Sequence, residues 1–84
     1  MKLSVEGFIV TLVGEPGFYD VLDTASGVKL GAVIHTNHGP EGGLYWQWHS
    51  VRDAGWDGGY VSRKQALAAM VQFELGRRER EASR

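Results

Sequence analysis

His35, His38 and His49 are the side chains in this sequence whose type suits a metal ion or a proton relay. Strand alternation places His35 and His49 on one open sheet face, with His38 on the adjoining loop. Their spacing matches no standard ligand motif, and no carboxylate stands in register as a third ligand. The expectation is therefore no metal and no cofactor. Asp20 and Asp23 flank a hairpin on opposite strand faces and read as solvated surface, not as an acid–base pair. Ser4, Ser26, Ser50 and Ser62 lack the strand–turn–helix context of an activated nucleophile, and Ser62 is accounted for by helix capping. Gly42-Gly43 and Gly58-Gly59 are turn chemistry, because neither joins a strand to a helix at phosphate-cradling spacing. With no catalytic constellation, the chain reads as a non-enzyme.

The tryptophans pose a different question. In the strand 44–51, parity places Leu44, Trp46 and Trp48 on one face and Tyr45, Gln47 and His49 on the other. Trp46 and Trp48 are the candidates for the centre of the core, against Leu67 and Met70. Trp56 lies in a glycine loop near Asp53 and Asp57, and either folds back over the start of the helix or stands exposed as a recognition anchor.

Those side chains are positioned by a legible unit at residues 55–76: a turn, a short strand and a capped helix. Ser62 with Gln65 three residues later forms a capping box, and Val61 with Ala66 a hydrophobic staple. Ala66, Leu67, Met70, Val71 and Phe73 then recur at helical spacing, with Gln65, Gln72 and Glu74 outside the stripe. Gly76 reads as the helix end, with Arg77, Arg78 and Arg80 near its negative pole. Upstream, residues 8–13 and 18–23 form a hairpin around Pro16-Gly17. Residues 28–35 alternate so that Val28, Leu30 and Ile34 face the helix, and 36–43 read as a loop. The edge character of 8–13 suggests a homodimer.

The fold expected is α+β: an antiparallel β-meander of four to five strands packed against one C-terminal α-helix. Its 84 residues make a single domain, 1–84, with an ordered core at about 5–76 and a charged tail at 77–84. The absence of cysteine fits a reducing compartment, and no targeting or membrane-spanning segment is evident, so the cytoplasm is the expected location. Residues 1–60 carry three basic against seven acidic side chains, a balance of −4, whereas 61–84 carry six against three, +3. A phosphate backbone would be repelled by the sheet region and attracted to the helix.

Residues 45–70, YWQWHSVRDAGWDGGYVSRKQALAAM, resemble the end of the three-stranded-sheet-plus-helix domains of AP2-type plant factors and tyrosine-integrase arm-binding domains, through Trp48, Gly59, Tyr60, Ser62 and Ala66. That resemblance implies DNA binding through arginines and lysines on the open sheet face. Here that face instead offers Tyr45, Gln47, His49, Lys29 and His35 amid acidic neighbours. The leading expectation is a small protein-binding module, an accessory or inhibitory factor of the kind phages and mobile elements encode, contacting its partner through Tyr45, Gln47, His49, Trp56 and His35. The alternative is a nucleic-acid-binding domain using Arg63, Lys64, Arg77, Arg78 and Arg80.

Overall fold

The computed structural model describes residues 1–38, 43–52, 55 and 57–83. Six strands follow one another as β1 (Lys2–Val5), β2 (Phe8–Glu15), β3 (Phe18–Asp23), β4 (Lys29–His38), β5 (Gly43–Ser50) and β6 (Asp57–Tyr60), and α1 (Arg63–Ala82) closes the chain. All pair antiparallel with their sequence neighbours in one sheet, so the meander has six strands where four to five were expected. The extra strand is β1, joined to β2 through Glu6 and Gly7. Both adopt positive φ, 54° and 77°, the geometry of a tight two-residue hairpin. β2 is consequently internal, and residues 8–13 are not the edge that the dimer reading required.

The helix touches β4, β5 and both edge strands, β1 and β6, so the sheet curls around it as a half-barrel. Val5, Val10, Leu12, Val21, Leu30, Val33 and Trp48 meet Ala66, Leu67, Met70 and Val71 on the concave side. Trp48 lies 5.4 Å from Phe73, ring centre to ring centre, at a tilt of 49°. Tyr45, Gln47 and His49 alternate onto the convex side, as their parity requires.

β4 departs from the expected parity. A bulge lies opposite Val21 and Leu22, pairing Lys29 with Leu22 and Gly31 with Val21 and leaving Leu30 as the extra residue. Downstream of it the alternation inverts. Val33 is buried on the helix side opposite Trp48, and His35 shares that strand face opposite Trp46 with its side chain exposed, while Ala32 and Ile34 lie on the other face, opposite His49 and Gln47. Leu30 is buried as expected, Val28 is exposed, and Ile34 belongs to the uncovered face. Beyond His35, β4 runs on to His38 and β5 begins at Gly43, so residues 36–38 and 43 of the expected loop are strand, and 39–42 lie outside the described residues.

The helix starts where its cap dictates. Ser62 Oγ accepts from the Gln65 N–H at 3.2 Å. Gln65 Oε1 reaches one residue further than the simple box, to the Val61 N–H at 3.2 Å. Val61 is exposed and forms no staple. Gly76 does not stop the helix, which continues through most of the segment expected to be a tail. Glu74, expected on the solvent side, is buried and binds Arg77 and Arg78, carrying the helix past the glycine.

Candidate functional site

Two surfaces bring chemistry-bearing side chains together. The first is the convex face of the sheet. Strand register lays out a row, Phe18, Ile34 and Gln47, across β3, β4 and β5, and beside it a second row, Val13, Asp20, Ala32 and His49, starting on β2. Tyr45 stands opposite Thr36 at one end. Val13 and Phe18 remain about half exposed, at 53% and 46%, as does Ile9 on the same side of β2 at 47%. Polar groups surround these apolar side chains: Lys29 pairs with Asp20 at 3.1 Å, and the Thr11 and Thr24 hydroxyls are hydrogen-bonded at 2.7 Å. His49 Nδ1 lies 2.6 Å from the Ser50 carbonyl oxygen, which orients the imidazole along the strand.

The second surface is a cleft of about 490 Å³ at the amino end of α1, lined by Leu3, Ser4, Val5, Trp46, Leu67 and the residues Ser62, Arg63 and Lys64. Trp46 is stacked with His35, the ring centres 4.5 Å apart and the planes within 5°. This contact removes His35 from the face that His49 occupies. The expected pairing of the two imidazoles is corrected by the β4 bulge. The Arg63 guanidinium lies 5.3 Å from the centre of the Tyr19 ring. No acidic residue occupies the first turn of α1, and among the described residues neither Arg63 nor Lys64 has an ion-pair partner.

The arginines at the far end of the helix are engaged within the molecule. Arg77 pairs with Glu74 and, at 2.7 Å, with Glu81; Arg78 reaches Glu74 at 3.0 Å and Asp23 on β3 at 3.1 Å. Asp23 is therefore buried at the helix side rather than solvated. Burial pushes its carboxyl up, but hydrogen bonds from Arg78, the Ala25 N–H and Ser26, with the charge of Arg78, outweigh this and hold it below its ordinary range. Hydrogen bonds from Arg77 hold Glu74 low against its own burial, with Arg78 adding to the effect. Both guanidinium groups are correspondingly pushed up, chiefly by their hydrogen bonds to Glu74 and Asp23. Arg80 is exposed.

Of the residues singled out in the sequence, Tyr45, Gln47 and His49 share the convex face, His35 shares the opposite strand face with Trp46 and is exposed, and Trp56 falls outside the described residues. Among the described residues no three His, Asp or Glu side chains gather as metal ligands. Among the described residues no helix is long and apolar enough to cross a membrane. The sequence reading missed Ile9, Val13, Phe18 and Ile34 on the convex face. The run FIVTLV at 8–13 carried the signal, since it is apolar at both parities and so cannot bury all its side chains on one side. No family model, curated protein or solved structure matches the chain, so the two surfaces are interpreted from their own chemistry.

Proposed function

We propose that this chain is a non-enzymatic protein-binding module whose contact surface is the convex face of the sheet. The observation that carries the reading is the adjacency, in register, of half-exposed Val13 and Phe18 with Ile34, Tyr45, Gln47 and His49. An apolar and aromatic centre within a polar rim is the anatomy of a protein interface, and such patches on monomer surfaces commonly mark one. Phosphate contact draws less support. Lys29 is paired with Asp20, and Arg77 and Arg78 are paired with buried carboxylates, which leaves Arg63, Lys64 and Arg80 of the five helix cations to meet a phosphate. In this reading the chain serves as an accessory or inhibitory factor.

Affinity capture with the immobilised chain, with and without nuclease, tests this reading. A partner retained after nuclease treatment and reduced at least tenfold by a Phe18→Ser/Ile34→Ser double variant is the expected outcome, because losing a central interface anchor costs about 2 kcal/mol or more. Capture abolished by nuclease, or unaffected by the double variant, contradicts it. Both substitutions lie on the uncovered face, so circular dichroism should show the fold intact.

A further inference from the structure

The free edge of β1 borders the cleft at the start of α1, and the two together form a second surface, on the opposite side of the sheet from the convex patch. The hydrogen-bond phase of β1 follows from its ends. The Leu12 N–H donates to the Met1 carbonyl at 2.7 Å and the Met1 ammonium donates to the Leu12 carbonyl at 3.2 Å, making Met1 and Leu12 a bonded pair. In an antiparallel ladder bonded pairs alternate, so Leu3 with Val10 and Val5 with Phe8 are bonded too. Lys2 and Ser4 therefore direct their N–H and C=O groups away from β2, and among the described residues β1 has no second neighbour in the sheet. Beside that edge lie the apolar side chains of Leu3, Val5, Leu67 and Trp46, and at its rim Arg63 and Lys64, which have no ion-pair partner among the described residues, with the Ser62 hydroxyl.

We propose that this edge and cleft bind an extended acidic segment of a partner protein, which adds to β1 as a seventh strand. Its main chain pairs with the outward groups of Lys2 and Ser4, the hydrogen bonding that drives strand addition elsewhere. Every second side chain of the added strand enters the cleft, whose volume lies within the range of about 300–1,000 Å³ typical of ligand sites. Apolar side chains meet Leu3, Leu67 and the Trp46 ring, and a carboxylate among them reaches Arg63 and Lys64. Charge complementarity selects an acidic occupant: the first turn of the helix supplies two cations, no acid and the positive end of the helix dipole. A free strand edge beside an apolar cleft favours a polypeptide over a small anion, because the anion would leave the outward amides of Lys2 and Ser4 unused.

A random heptapeptide display library panned against the full chain tests this. The expected result is an enriched set alternating apolar with acidic residues, whose binding falls at least tenfold with Ser4→Pro and at least tenfold with Arg63→Glu, and is unchanged in the Phe18→Ser/Ile34→Ser variant. Proline at position 4 removes the outward N–H and is tolerated on a strand edge, so melting temperature should hold within a few degrees. Bound peptide should also slow hydrogen exchange at the Lys2 and Ser4 amides. The proposal is overturned if no sequences are enriched or the enriched ones lack acidic residues. Binding that survives Ser4→Pro, or a chain found to dimerise through this edge, also overturns it. Loss of binding in the convex-face variant alone would move the contact to the other surface and overturn it as well.

Discussion

Trp48 shows how the core tolerates a polar atom. The side chain keeps 8% of its surface exposed, and its indole N–H has no acceptor among the described residues. An unpaired buried donor costs about 1–3 kcal/mol, whereas burying an aromatic side chain of roughly 150–250 Å² at about 25 cal/mol per Å² contributes about 4–6 kcal/mol. The ring wins, and the contact with Phe73 adds to it. Trp48→Ala should therefore destabilise the chain by about 3–5 kcal/mol in urea unfolding, while Trp48→Phe should cost less than about 2 kcal/mol because it also removes the unpaired donor. A phenylalanine variant as unstable as the alanine one would show that the indole N–H has a partner. Two residues along β4 from Val33, the ladder partner of Trp48, Gly31 is fixed by a close approach: a Cβ there would run into the carbonyl of His49. Alternation around Trp46 and Trp48 was enough to place both rings on the helix side. The stacking of His35 on Trp46 was not legible, because it depends on a bulge that residues 28–35 do not announce.

At the scale of elements, the start of α1 was legible and its end was not, for one physical reason. A cap is written in adjacent residues, here Ser62 and Gln65, whereas the continuation past Gly76 depends on Arg78 meeting Asp23, 55 residues away in sequence. That pairing also sets a pH dependence. Asp23 and Glu74 both titrate below their ordinary ranges in the folded state, so their stabilising contribution is complete above about pH 5 and is lost as pH falls through their depressed folded values. Urea midpoints measured between pH 6 and pH 2 should fall on acidification in the native chain. The slope should be distinctly shallower in an Asp23→Asn/Glu74→Gln variant, and an unchanged slope would show that these carboxylates are not the ones protonated.

For the molecule as a whole, the meander and its single helix were legible because hairpins and caps are local, but the sixth strand and the curl were not. β1 is only four residues long, and its identity rests on pairing with β2 rather than on its own pattern. The radius of gyration, 13.0 Å, slightly exceeds the roughly 12 Å of a compact domain this size, as expected when a helix of 20 residues runs on beyond the barrel. Curling separates an apolar convex face from a concave side in which β1 and β5 line one cleft. Each proposed contact depends on which residues of β4 and β5 lie on which side. The chain has no native cysteine, so single thiols report on that partition without background. Maleimide labelling of Val33→Cys, Ile34→Cys, Gln47→Cys and Trp48→Cys, under native conditions, is the direct measurement. Labelling at positions 34 and 47 should be at least tenfold faster than at 33 and 48; the reverse order along β4 would place Ile34 against the helix and contradict the assignment of the uncovered face.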